Sequence, residues 1–260
     1  MTSAIKLWLH SAGTKIAQRM AYRTEYMISL VCMFVLELVG PIFTYIIYTT
    51  SPGFAGWTFH QVLLLQGIFL IVKGISFSCF FGIVWNSNIT HQRGTFDLIL
   101  IKPRNTLFMF ICDSFDAEDI AKIFGGALIT GYALWHIPGV SMIGVVAAIA
   151  SVILGLGLVF SIALYSSCFI FRFIKSMRVY EAFEILSLIG QYPKSIYPKI
   201  TGTIFTALLP IFLVAVFPAQ ALLGDITRDI LISSISVVIL LVVAVKLWYS
   251  IIKKYSSAGG

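Results

Sequence analysis

The sequence predicts an all-α membrane protein: a single transmembrane domain over residues 1–255, with six spanning helices, an amphipathic interfacial helix ahead of them, and a short helix between the second and third spans. Three observations predict it. Hydrophobic residues make up 59% of the 260 and charged residues 11%, with a mean hydropathy of +0.96, whereas a soluble domain carries roughly 25% charged residues. The apolar runs are long enough to cross a hydrocarbon core of about 30 Å at about 1.5 Å per residue. The cations sit at the ends of those runs and form no basic domain, so the net charge of +7 reads as membrane anchoring and speaks against a nucleic-acid partner.

Residues 1–23 read as the interfacial helix. Ile5, Trp8, Leu9, Ala12, Ile16 and Met20 fall near one face, with Lys6, His10, Lys15 and Arg19 largely off it. Cations spread through this stretch leave no uninterrupted apolar core for a secretory signal. The first span is 26–49, with a kink expected at Pro41. An uncharged link, 51–60, leads to the second span, 61–85, and a central loop covers 86–119. The third span is 120–136, and Ile137-Pro138-Gly139 turns the chain into the fourth, 141–171, which is long enough to tilt or project. Residues 172–199 are polar and basic, with a short helix expected near 179–189 and a small duplication, Tyr192-Pro193-Lys194 and Tyr197-Pro198-Lys199. The fifth span is 200–217, with Pro210 inside it; 218–229 is external; the sixth is 230–252, closed by Lys253-Lys254, and 256–260 is a flexible tail.

Orientation follows from the cations. With the N-terminus inside, fourteen Lys and Arg fall on the cytoplasmic side and Arg228 alone outside, while Lys73, Lys122 and Lys246 lie within spans. Both termini are therefore expected in the cytoplasm.

Glu37 and Lys73 lie deep in spans one and two, each twelve residues from the outer end of its span. Antiparallel neighbours bring them to one depth, and an unpaired ion there costs at least about 2.5–3.5 kcal/mol, so a buried pair is the least costly arrangement. A polar path lined by them is the functional alternative. Asp113, Asp116, Glu118 and Asp119 precede span three, where negative charge suits a helix N-terminus or a basic partner. Gly125, Gly126 and Ala127, and Gly155, Gly157 and Ser161, favour close helix packing.

Catalytic patterns do not emerge. Cys32, Cys79, Cys112 and Cys168 have no metal-type spacing and read as small buried residues; the four histidines lie at element edges without clustering. Glu181 and Glu184 follow Arg178 and read as surface ion pairs. No phosphate-cradling Gly-x-x-x-x-Gly-Lys-Ser/Thr, no His-Glu-x-x-His and no Gly-x-Ser-x-Gly occurs.

The stretch with the most to offer a partner is Arg93-Gly94-Thr95-Phe96-Asp97-Leu98-Ile99-Leu100-Ile101-Lys102-Pro103-Arg104-Asn105, a short cation-flanked apolar element between Gly94 and Pro103. It resembles the basic-Gly-x-x-Asp-x-x-Leu-x-Lys-Pro segment in membrane subunits of bacterial ABC (ATP-binding cassette) exporters of the type-two permease superfamily. Tyr192-Pro193-Lys194-Ser195-Ile196-Tyr197-Pro198 resembles their Tyr-Pro-x-x-x-Tyr-Pro segment, and Pro210, Phe217-Pro218-Ala219 and Leu222-Leu223-Gly224 resemble their span-five exit.

The resemblance implies a permease in the bacterial cytoplasmic membrane. Its partners would be separate ABC ATPase subunits, a second permease, identical or homologous, and membrane lipids. ATP and Mg would bind in the partner ATPase, with no cofactor in this chain. The loop between spans two and three would hold the coupling helix, with Phe96, Leu98 and Ile99 as its apolar anchor, Arg93, Asp97, Lys102 and Arg104 orienting it, and Gly94 and Pro103 shaping its ends. Three other readings stand beside it: a proton-coupled secondary transporter using Glu37 or Lys73, a membrane-embedded enzyme, and a non-transporting membrane anchor. The first favours inverted repeats, which the Pro and charge positions of the two halves do not share.

Overall fold

The computed structural model describes residues 2–172, 185 and 188–255, and every regular element among them is helical. In chain order these are α1 (Thr2–Ala21), α2 (Arg23–Glu37), α3 (Val39–Thr50), α4 (Phe59–Ser76), α5 (Ile83–Arg93), α6 (Asp97–Leu100), α7 (Thr106–Asp113), α8 (Ile120–His136), α9 (Met142–Arg172), α10 (Lys199–Thr203), α11 (Val216–Leu222) and α12 (Arg228–Lys253). Four continuous stretches are long and apolar enough to cross a membrane: Arg23–Thr50, Phe59–Arg93, Met142–Arg172 and Arg228–Lys253. The third expected span, α8, is a helix of 17 residues, about 25 Å long.

Local chemistry accounts for the breaks. The kink in the first stretch falls at Leu38, between α2 and α3, because Pro41 has no N–H to return to the carbonyl of Glu37. A capping box starts α4: the Thr58 hydroxyl accepts from the Gln61 amide, and the Gln61 side chain accepts from the Thr58 amide. A π-helical turn, Phe77–Phe81, joins α4 to α5. The second span therefore runs eight residues past its expected end at Trp85, and α7 fills part of the expected loop.

The core lies between α4, α8, α9 and α12. Gly126 lets α8 and α4 meet backbone to backbone, since a Cβ there would lie 2.7 Å from the Gly67 carbonyl oxygen. The α2–α3 stretch exposes Met27, Val31, Val35, Ile42 and Ile46, a surface suited to lipid. Cys32 on α2 is also exposed, so only Cys112 and Cys168 are the buried small residues expected of all four cysteines.

The expected fifth span is not one continuous helix. Lys199–Thr203 continues into a π-helical turn, Ile204–Leu208, and stops at Leu209. Pro210 supplies no donor and keeps Leu209 out of the helical region, at φ −127° and ψ 82°. A 3-10 turn, Ile211–Val214, then reverses the chain into α11. Pro218 falls in the first turn of α11, where its missing N–H costs nothing, so the helix extends through part of the segment expected to be external.

Both legs of this hairpin return to one end of the molecule. Lys194 Nζ lies 2.6 Å from Asp229 Oδ2 at the start of α12, and the Ser195 hydroxyl donates to the Ala55 carbonyl at 3.3 Å. Tyr192 packs against Phe54. Residues 192–199 therefore share an end with the 51–60 link and lie opposite Arg172, correcting the expectation of one cytoplasmic 172–199 loop. The irregular backbone sits where such backbone is tolerated, inside protein: Phe212, Leu213, Ala215 and Val216 are fully buried. Ser233 and Ser236 of α12 donate to the freed carbonyls of Thr206 and Ala207, each at 2.6 Å. The expected short helix near 179–189 and the Glu181 and Glu184 pairing lie largely or wholly outside the described residues.

Candidate functional site

The segment singled out in the sequence forms an elbow at the end of the molecule opposite Ser195. Gly94 ends α5 in the left-handed conformation, φ 63°, and the Thr95 amide donates back to the Thr90 carbonyl at 3.0 Å. One turn of helix, α6, follows. The chain bends through Lys102, Pro103 and Arg104, and Asn105 caps α7 by accepting from the Phe108 amide at 3.3 Å. The Asn105 side chain also meets the Tyr249 hydroxyl at 2.7 Å, tying the bend to α12.

The single turn sorts its apolar residues into two faces. Phe96 (0% exposed) and Ile99 (7%) point inward, whereas Leu98 (61%) and Ile101 (77%) point out. This corrects the expected anchor of Phe96, Leu98 and Ile99, because two of those three are committed to this chain's own core. Phe96 packs on Phe171 of α9 at 4.6 Å between ring centroids, on Tyr255 at 5.0 Å and on Phe110 of α7 at 5.8 Å. Phe110 and Phe171 in turn pack on Trp248 of α12. Ile101 went unassigned because nearly every position from Phe96 to Ile101 is apolar, so no period marks the outward face.

Charge surrounds the outward pair. Arg93, Pro103 and Arg104 are exposed, and Asp97 and Lys102 are half-buried. Lys102 pairs with Asp113 at 3.3 Å. Burial first, and the Asp97 carboxylate second, push the Tyr255 phenol above its ordinary range. Burial, with help from Asp113 and against the pull of Lys102, pushes the Cys112 thiol up and makes it a poor nucleophile.

The first helix, α1, lies against this end. Trp8 stacks edge-on to Phe115, and the Ser11 hydroxyl donates to the Cys112 carbonyl. The expected single apolar face thus divides. Trp8 and Ala12 turn towards protein, while Ile5, Leu9, Ile16 and Met20 stay exposed. The acids before α8 are engaged within the chain: Glu118 with Arg19 at 2.9 Å, Asp119 with Lys122, and Asp116 with the Glu118 amide.

Glu37 and Lys73 meet at 3.3 Å. Lys122 lies 4.0 Å from the same Glu37 oxygen and also bonds Asp119, so two acids and two bases form one neutral cluster between α2, α4 and α8. Lys122, expected within a span and without an expected partner, thus faces two acids. His60 and His136, read as unclustered, stack with centroids 4.5 Å apart across the ends of α4 and α8. Among the described residues no group of three or more His, Cys, Asp or Glu is placed to hold a metal.

A family model described as "ABC-2 family transporter protein" matches residues 31–259. No curated protein and no solved structure matches the chain.

Proposed function

The chain belongs to the ABC-2 transporter family of membrane proteins, and from that premise we propose that it is the permease subunit of an ATP-driven exporter, moved by separate ATPase subunits that grip the α5–α6–α7 elbow. Members of this family are membrane components, and this chain carries no phosphate-cradling loop. ATP and Mg therefore bind in the partner. A second permease, identical or related, completes the substrate path.

One observation carries the coupling role. The elbow is two-faced: Leu98 and Ile101 stand clear, while Phe96 and Ile99, directly behind them, lock into α7, α9 and α12. Force applied to the outward pair is thereby delivered to the long helices. Arg93, Asp97 and Arg104 set the register of the partner by charge.

Six crossings remain the reading of the topology. The chain leaves α9 at Arg172, at the elbow end. It is next described at Ile185 and then from Leu188, whose neighbourhood includes Gly40 and Gln66, and it reaches the far end at Ser195. α8 is the third crossing, and 199–222 is a hairpin dipping from the far side. The corrected topology also changes the charge count. Lys6, Lys15, Arg19, Arg23, Arg93, Lys102, Arg104, Arg172, Lys253 and Lys254 gather at the elbow end, against Lys194, Lys199 and Arg228 at the far end. Among the described residues, ten against three supports a reading with the elbow and both termini in the cytoplasm of a bacterial cell.

The test replaces Leu98 and Ile101 together with Asp. Co-purification of an ATPase subunit and ATP-dependent export from membrane vesicles are expected to be lost. Ile196→Asp, the same chemistry at the far end, should preserve both. Retention of the ATPase by the elbow double variant would remove the coupling reading.

A further inference from the structure

A groove of about 790 Å³ opens beside the elbow, where the C-terminal ends of α5, α9 and α12 converge. Its floor is apolar and aromatic, including Phe169, Phe171, Leu247 and Ile251. Its rim carries two exposed cations from different helices, Arg172 and Lys254. No carboxylate lines it among the described residues; Asp97 acts on it through Tyr255 at one edge. Among the described residues, the His91 Nδ1 and Tyr255 hydroxyl at its wall have no hydrogen-bond partner, an arrangement native proteins rarely leave unresolved.

We propose that this groove is a binding site for one anionic phospholipid of the adjoining leaflet. The phosphodiester sits between Arg172 and Lys254, and an acyl chain lies along the exposed flank of Phe169 and Leu247. Charge complementarity selects the headgroup: basic pockets between the ends of membrane helices hold acidic lipids, and each cation near the surface strengthens the attraction. Cations also favour helix C-termini for the helix's own sake, but that dipole effect is confined to the last turn. It does not call for two of them, from separate helices, on one apolar groove. A phosphodiester also gives the Tyr255 hydroxyl an acceptor. The consequence is specific, because Phe171 and Tyr255 line the groove and also pack on Phe96. A bound lipid therefore buttresses the elbow from behind. The proposal rests on the chain's place in a membrane and does not require the ATPase coupling.

The experiment uses the purified full-length chain in phosphatidylcholine nanodiscs containing a minority of phosphatidylglycerol, with retained lipid counted by native mass spectrometry. The chain should retain phosphatidylglycerol in preference to phosphatidylcholine. The double variant R172Q/K254Q should weaken that retention on the order of ten- to thirty-fold, whereas K6Q on α1 should not. Excess glycerol phosphate should fail to displace the lipid. Equal retention of both lipids, unchanged retention in the double variant, or displacement by the soluble phosphate would each overturn the assignment. No ATPase enters the assay, so a failure here leaves the coupling proposal standing, and the reverse holds too.

Discussion

The ring of Phe96 lies 4.6 Å from that of Phe171, at an angle of 49°, and so fastens a single helical turn to the last turn of α9. Removing the Phe96 ring would open a cavity within a cluster that also holds Phe110 and Trp248. Phe96→Ala is expected to cost about 3–5 kcal/mol, and Phe96→Asp more, since it buries a charge. Leu98→Ala, on an exposed side chain, should stay within about 0.5 kcal/mol. Thermal stability of the detergent-solubilised protein, followed by fluorescence-detected size exclusion, separates the two. A Phe96 variant as stable as the Leu98 variant would mean that the inward and outward faces are misassigned.

The far-end position of residues 192–199 can be read by labelling. The Ser195 hydroxyl is 3.3 Å from the Ala55 carbonyl. With the native cysteines replaced, S195C and A55C together should form a disulfide under mild oxidation. S195C should also react with a membrane-impermeant maleimide added to intact cells, and R104C should react only after permeabilisation. The opposite pattern would return 192–199 to the cytoplasmic face.

Much of this architecture was legible in the sequence, for a physical reason. An apolar run bounded by cations and Pro or Gly has few ways to sit in a bilayer, so α2–α3, α9 and α12 lie near their expected bounds and α4–α5 starts near its own, though it runs eight residues further. The hairpin at 199–222 was not legible, because apolarity does not say whether a run crosses or returns. Pro210 marked the break, yet the same residue kinks true spans. What decides is the depth at which Ser233 and Ser236 meet Thr206 and Ala207, a contact between elements that hydropathy does not register. The elbow failed differently. Its boundaries at Gly94 and Pro103 were visible, but a four-residue helix is too short for periodicity to tell Ile99 from Ile101.

That serine contact yields its own prediction. Ser233→Ala leaves the Thr206 carbonyl, released by the π turn, without its donor in a buried setting. The loss should be about 1–3 kcal/mol. Ser236→Ala, at an exposed site, should cost less, because its hydroxyl also bonds Ile232 of its own helix. Measured melting temperatures should fall in that order, and equal losses would mean that burial does not set the cost.

The charge cluster distinguishes a structural pair from a proton path. Glu37 bonds Lys73 and approaches Lys122, and Lys122 bonds Asp119, so removing one member strands another charge in an apolar setting. Glu37→Leu or Lys73→Met alone should each cost about 3–5 kcal/mol. The double variant removes both charges and leaves Lys122 with Asp119, so it should recover most of that loss. A double variant no more stable than the singles would deny the coupling between them. Transport adds the second readout. If the pair only holds α2 to α4, the stable double variant should still export in an ATP-dependent manner, with unaltered pH dependence. Loss of transport in a fully folded double variant, together with a pH profile displaced in Glu37→Gln, would instead make Glu37 part of a proton route.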